Sequence, residues 1–302
     1  MLVSIVVPVY NSASILPKLN QRLQKCLEGL YEVEIIYVDD FSKDQSWSVL
    51  KDLKKQFDNL KIVKLGKNFG QHSATLCGFN FAQGECVVTI DDDLQQGPED
   101  ISKLIDVLNE SNAELVYGIG NSNHSKFRKA GSDLYKKGAK HIDGKMGEGS
   151  SFRALKKSLV DKVKVYNNHF VMLEEILYWH TRNIEFVAVN HYPRMDGKSG
   201  YSPLKIFRFI VDISVNYSNW PLKFMTYGGA ILSFVFFCLG IYFIAKKVIY
   251  GASVPGFTAL IVAIFFSTSV LLLCFGIVGK YLNNIYVVLN KKPVFSIEEA
   301  EL

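Results

Sequence analysis

The chain has 302 residues, a formal net charge of +5 at neutral pH and charged side chains at 21% of positions. That length allows one large domain or two modest ones with an ample core, and a positive balance so mild and dispersed excludes nucleic acid as the partner. The five cysteines, Cys26, Cys77, Cys86, Cys238 and Cys274, show no paired spacing and no metal spacing with histidine, which points to free thiols in a reducing compartment.

Residues 2–7 read as a buried strand ended by Pro8. No basic, small-residue leader stands ahead of it, so the N-terminal part is expected in the cytoplasm. Leucines at 16, 19, 23, 27 and 30 give a helical stripe from about Ser14, with Ser12 or Ser14 available as its cap. Residues 33–38 form a second strand that ends in Asp39-Asp40, and a helix follows to about Phe57. A third strand covers 61–65, Asn68-Phe69-Gly70-Gln71 opens a helix through Ala82, and a fourth strand covers 86–90. That fourth strand ends in Asp91-Asp92-Asp93-Leu94-Gln95. Alternating strands and helices predict a parallel sheet with helices on both faces.

Two strands of such a sheet therefore finish in carboxylates at the same edge, where open α/β sheets bind ligands. Side chains two apart on an extended chain point the same way. Asp91 and Asp93 can reach one ion, with Gln95 as a third oxygen, and Mg²⁺ or Mn²⁺ prefers that donor set. The alternative for both acidic clusters is turn formation and helix capping.

Pro98-Glu99-Asp100 opens the next helix, and 114–117 is a fifth strand. Gly118-Ile119-Gly120 lacks the third glycine and the helix of a dinucleotide loop, and is rejected as one. Residues 121–149 are polar, rich in glycine and lysine, and weakly patterned. They are either a solvated surface or an anion-binding lid. A strand over 150–155 carries Arg153. A helix over 170–180 carries Glu174 and Glu175, either surface acids or a general base. A late strand covers 184–192.

Residues 203–222 carry a thin polar stripe on an apolar helix, which suits a membrane interface or a docked helix. Two uncharged runs, about 224–245 and 256–279, predict two membrane-spanning helices. Lys223, Lys280, Lys291 and Lys292 mark the cytoplasmic side; Lys246 and Lys247, at the opposite turn, vote against it. The expected organisation is a catalytic region over 1–202, an interfacial helix over 203–222, two spans within 223–281 and a cytoplasmic tail over 282–302. The acidic stretch from Val294 to Leu302 has no assigned purpose.

Taken together, Pro8-Val9-Tyr10-Asn11, Glu34 to Asp40, Asn68-Phe69-Gly70-Gln71, Asp91-Asp92-Asp93-Leu94-Gln95 and Phe152-Arg153 resemble the GT-A glycosyltransferases of family 2. The segment from Arg194 to Tyr201 and the two terminal spans narrow the resemblance to the polyprenyl-phosphate branch, which includes dolichol-phosphate mannose synthases and bacterial undecaprenyl-phosphate glucosyltransferases. It implies a GT-A catalytic domain, Rossmann-like with a mostly parallel sheet, followed by a transmembrane hairpin. It also implies inverting, metal-dependent transfer from a UDP- or GDP-linked sugar to a polyprenyl phosphate. Pro8, Tyr10, Asn11, Asp39, Asp40, Gln71 and Asp92 would bind the nucleotide sugar. Asp91, Asp93 and Gln95 would hold Mg²⁺ or Mn²⁺. Asp93, Asp91 and Arg153 would be catalytic, and Arg128, Lys129, Ser132, Arg194 and Lys198 would take the acceptor phosphate. A homo-oligomer in the bacterial inner membrane is expected.

The chain departs from that pattern at several points. Phe41 stands where a glycine is usual after the paired aspartates, and Ser150-Ser151 stands where an acid usually precedes Phe152. Two other readings stay open: transfer to a hydroxyl acceptor, and a non-catalytic membrane-anchored relative.

Overall fold

A computed structural model describes residues 1–120, 150–167, 171–192, 256–290 and 292–302, with isolated helical positions between 225 and 249. The chain divides into two compact units, Met1–Lys198 with Pro293–Leu302, and Ser199–Lys292.

The first unit is built on one sheet. In chain order its elements are β1 (Leu2–Val9), α1 (Leu16–Leu27), β2 (Glu32–Asp39), α2 (Ser46–Lys54), β3 (Leu60–Leu65), α3 (Gln71–Phe79) and β4 (Cys86–Thr89). They are followed by α4 (Ile101–Glu110), β5 (Leu115–Gly120), β6 (Arg153–Lys156), α5 (Lys157–Val163), α6 (Leu173–His180) and β7 (Ile184–Val189). The strand order is β7-β5-β6-β4-β1-β2-β3-β8, where β8 is Ile297–Glu301. Strands β1 to β4, and the β5–β7 pair, are parallel. Only β6, antiparallel to both neighbours, and β8, antiparallel to β3, break the pattern.

Alternation along β1 feeds both faces of this sheet. Val3, Ile5, Val7 and Val9 pack with Leu16, Leu19, Leu23 and Leu27 of α1, while Val6 faces the opposite layer with Ala74, Cys77 and Phe79 of α3. The sheet is therefore buried on two sides, as the near-continuous apolar strands demand.

Several expectations change in detail. β1 runs through Pro8 to Val9 rather than stopping before it, with Pro8 opposite Val38. β4 pairs with β1 only as far as Val6, so the missing proline N–H costs that ladder nothing. Helix α1 begins at Leu16 with no side-chain cap. The carbonyl of Ser12 takes its first N–H groups, because the Ser12 hydroxyl is used elsewhere. Gly118 lies within β5, where a side chain would meet the Phe152 ring, its Cβ falling 2.6 Å from Phe152 Cδ1. That glycine serves sheet packing, in line with rejecting a dinucleotide loop.

The tail is the larger difference. Residues 282–302 do not form one loose segment: the preceding helix continues to Leu289, and Ile297–Glu301 closes the outer edge of the sheet. The acidic sequence hid this strand because an edge strand with solvent on both faces needs no apolar alternation.

In the second unit, α7 (Phe257–Leu289) has 33 residues. Its stretch Phe266–Asn283 has a mean hydropathy of 1.4 with none of it buried. Among the described residues this is the one helix long and apolar enough to cross a bilayer. The expected span over 224–245 is described only at isolated helical positions, and the expected interfacial helix over 203–222 lies outside the described residues.

Candidate active site

The strand order sets β2 and β4 on either side of β1, so their acidic ends flank the loop Tyr10-Asn11-Ser12. Each of the three turns carries a non-glycine residue in the left-handed region: Asn11 at φ 54°, Phe41 at 59° and Leu94 at 57°. Phe41 accounts for the glycine usual at that point. A side chain is carried there at a cost of about 1–2 kcal/mol.

At the end of β2 the two aspartates do different things. The Asp40 carboxylate accepts the backbone N–H groups of Phe69 at 2.7 Å and Gly70 at 2.8 Å. It thereby fixes the turn into α3. Burial pushes its pKa up to about 6, against those two bonds and with help from Asp39. Asp39 is fully buried and accepts the Ser42 N–H at 3.2 Å through Oδ2. Its Oδ1 has no hydrogen-bond partner. Burial raises its pKa despite Ser42 and Lys64. A buried acceptor left open costs stability unless a ligand completes it.

Asn11 belongs to the loop's own framework. It donates its N–H to Ser42 Oγ at 2.9 Å and accepts the Lys43 N–H at 2.8 Å. Tyr10 presents an exposed ring, and Pro8 lies buried inside β1.

At the end of β4 the three acids also divide. Asp92 Oδ2 accepts the Tyr10 N–H at 3.0 Å and the Ser12 hydroxyl at 2.6 Å. It braces the β1 loop rather than extending outward. Burial, then the charges of Asp91 and Asp93, push it to about 6 against those bonds.

Asp91 is enclosed by donors. Gln71 Nε2 bonds its Oδ1, and Ser151 Oγ and Gln96 Nε2 bond its Oδ2, the latter at 3.3 Å. Its own N–H goes to Gln96 Oε1 at 3.1 Å. Burial raises its pKa; Ser151 opposes this and Asp93 adds to it. Asp93 is half-buried, and its Oδ1 accepts the Gln95 N–H at 3.1 Å.

Asp91, Asp93 and the Gln95 amide are hard oxygen donors of the kind Mg²⁺ and Mn²⁺ select. The repulsion between Asp91 and Asp93 is what a cation would relieve. The residues fit the ion in kind. Among the described residues no three histidine, cysteine or carboxylate side chains converge as a complete cage, so a bound ion would need further oxygens from its substrate.

Behind β4 lies a second polar cluster. The antiparallel β6 sets Arg153 opposite Thr89, and the arginine is 2% exposed. Its Nε donates to Thr89 Oγ1 at 3.1 Å, its Nη1 to Glu174 Oε1 at 3.3 Å, and its guanidinium lies 5.9 Å from the Tyr117 ring centre. Glu174 Oε2 stands 3.5 Å from His72 Nδ1. Burial pushes the Glu174 carboxyl up, but Arg153 and His72 outweigh it and it ends below its ordinary range. Burial also lowers the His72 pKa, against the pull of Glu174. Glu175 is 5% exposed and raised by burial. Neither glutamate is a surface acid.

Gln96, Ser151, Ser12 and Ser42 are site residues that sequence reasoning missed. Gln96 follows the expected Gln95, and the left-handed turn at Leu94 decides which glutamine faces inward. Ser151 stands where the resemblance implies an acid, yet it donates to Asp91, so the change leaves the carboxylate held. Arg128, Lys129, Ser132, Arg194 and Lys198 lie outside the described residues.

The fold has counterparts of known structure. A glucosyl-3-phosphoglycerate synthase of Mycobacterium tuberculosis superposes with a TM-score of 0.52 at 17% identity, over 68% of this chain and 73% of its own. That likeness shows the fold, a GT-A α/β sheet. Residues 4–165 match the pattern of glycosyl transferase family 2. The undecaprenyl-phosphate 4-deoxy-4-formamido-L-arabinose transferase of Proteus mirabilis is 30% identical over 304 residues, 99% of this chain and 93% of that one. The enzyme of the same name from Pseudomonas syringae is 31% identical over 308 residues, 98% of this chain and 90% of that one. An uncharacterized glycosyltransferase of Synechocystis is 31% identical over 305 residues, 98% of this chain and 94% of that one. The chain belongs to glycosyl transferase family 2, and it is a glycosyltransferase.

Proposed function

We propose that the protein moves a sugar from a nucleotide diphosphate to a polyprenyl phosphate, with inversion at the anomeric carbon. The observation that carries the donor half is the open Asp39 Oδ1, buried on one side of the β1 loop with Asp93 on the other. A nucleobase N–H completes Asp39, and the ribose and diphosphate extend towards Asp93. Pro8, Tyr10 and Asn11 wall the crevice, while Asp40 and Asp92 hold its loops. The metal ligands are Asp93, with Asp91 and Gln95. When bound, Mg²⁺ or Mn²⁺ neutralises charge on the leaving diphosphate. The Mycobacterium tuberculosis structure holds Mn²⁺ and uridine diphosphate by its own description, which supports that choice.

The acceptor half is supported by the full-length relatives that act on undecaprenyl phosphate by name, and by an exposed apolar helix fit to meet a lipid. Arg128, Lys129, Ser132, Arg194 and Lys198 are our candidates for the acceptor phosphate. On this reading the chain sits in the bacterial inner membrane through a two-helix hairpin, as a homo-oligomer, with its catalytic unit in the cytoplasm.

A phosphate monoester has its second pKa near about 6, so its oxygen is already a nucleophile at neutral pH. It attacks the anomeric carbon as the diphosphate leaves with the bonding pair. No general base is needed, and Glu174 is occupied with Arg153. Arg153 supplies fixed positive charge behind Thr89.

The test is to incubate the full chain with UDP- and GDP-linked sugars and undecaprenyl phosphate, and to follow the lipid by mass. A gain of one hexose-type residue on the lipid phosphate is expected. Label that enters hydroxyl acceptors and never the lipid phosphate would overturn the acceptor assignment.

A further inference from the structure

We propose that strand β8 is a positioning element of the donor site: Glu298 holds the Lys64 ammonium away from Asp39, which keeps the Asp39 acceptor open for the nucleotide base. The proposal rests on the reading of Asp39 given above.

The argument starts from register. Asp39 on β2 is the direct partner of Lys64 on β3, and Lys64 is the direct partner of Glu299 on β8. Partners on adjacent strands are about 5 Å apart and face the same side. A lysine beside a buried carboxylate with an unsatisfied oxygen should turn to it. Lys64 does not: its Nζ lies 3.0 Å from Glu298 Oε1, over the Phe41 ring at 5.9 Å, and Asp39 Oδ1 stays without a hydrogen bond.

Glu299 cannot take over this task, because its carboxylate accepts the Trp47 indole N–H at 3.0 Å. The seat of β8 is itself fixed. Val294 is 4% exposed in the core, and the Gly66 N–H donates to the Ser296 carbonyl at 2.8 Å. Gly66 lets the chains come this close, since a Cβ there would fall 2.9 Å from Ser296 Oγ. By contrast Lys61, three residues earlier on β3, is satisfied inside the sheet by Glu34 at 2.7 Å.

If Glu298 is removed, Lys64 gains an alternative partner in Asp39 and becomes an internal competitor of the base. The ion pair is partly exposed, so the effect is modest.

The test uses the full chain in detergent, titrated calorimetrically with UDP and with GDP. Glu298→Gln should weaken binding of the nucleotide preferred by the wild type about three- to fivefold. Lys64→Met in the same background should restore the affinity to within about twofold, because the competitor is gone. The thermal midpoint of each variant is measured alongside; a purely structural role for β8 would lower it and would not be rescued by Lys64→Met. Unchanged affinity in Glu298→Gln, or a loss that Lys64→Met leaves in place, overturns the proposal. A wild-type chain that binds neither nucleotide overturns the donor-site reading itself, and this inference with it.

Discussion

The two acidic strand ends look alike in sequence and differ in use. At the end of β2, Asp40 is spent on two backbone N–H groups of the α3 turn while Asp39 keeps an oxygen open. At the end of β4, Asp92 is spent on the β1 loop, Asp91 is enclosed by three side-chain donors, and Asp93 remains half-buried beside them. Each cluster contains an acid that braces a neighbouring turn, Asp40 or Asp92, and an acid, Asp39 or Asp93, that we propose for a ligand. Adjacent carboxylates of this kind repel each other, so a fold retains them only where both have work.

The contrast can be broken experimentally. Asp93→Ala should have the largest effect, a loss of transfer on the order of 10³-fold or more with no fall in thermal midpoint. A lipid-product assay and a melting curve check it, and near-normal turnover would remove Asp93 from the site. Asp40→Ala should act on the fold instead. It leaves the Phe69 and Gly70 N–H groups without their acceptor and should cost roughly 2–3 kcal/mol in denaturant unfolding. Asp39→Asn should lower nucleotide affinity about tenfold, seen by calorimetry, with stability equal to or above the wild type because a buried charge is gone.

The smallest effect is a pH dependence. The Asp40 carboxyl is raised in the folded state to about 6 from an ordinary value of 3.8. Its favourable contribution is fully present below the unfolded pKa and lost as pH rises through the folded one. Asp40 should therefore contribute a gain of about 1 kcal/mol between pH 7 and pH 5, which His72, lowered by burial, opposes in the same window. Glu34 and Glu99 are lowered and work the other way, but only once pH falls below the ordinary carboxylate range. Asp40→Asn should remove that share in unfolding measurements at the two pH values, while Asp92, raised to about 6 as well, keeps its own.

Strands β1 to β5 and their acidic ends were legible because buried parallel strands are runs of Val, Ile and Leu that stop at polar turns. The direction of β6 was not legible, since a short strand carries no sign of parallel or antiparallel pairing. The choice between surface acids and a general base stayed open for Glu174 and Glu175 because periodicity does not reveal a distant arginine. Asp92 read as a ligand contact because nothing in the triplet shows that the β1 loop folds back on it. Gln96 went unseen because the turn that brings its amide to Asp91 has a positive φ at Leu94, which a leucine does not advertise.

The pairing of β3 with β8 also bears on how the chain is made. Lys64 meets Glu298 across a sequence separation of 234. At about 5–20 residues per second, the ribosome leaves that edge of the sheet unpaired for on the order of ten to fifty seconds. During that interval β3 presents open N–H and C=O groups to any neighbouring nascent chain. Lys61 and Lys64 sit one residue in from either end of it, where charge discourages edge-to-edge pairing. The two lysines thus guard the growing sheet before they settle into it, and their replacement by apolar residues should raise aggregation through that edge.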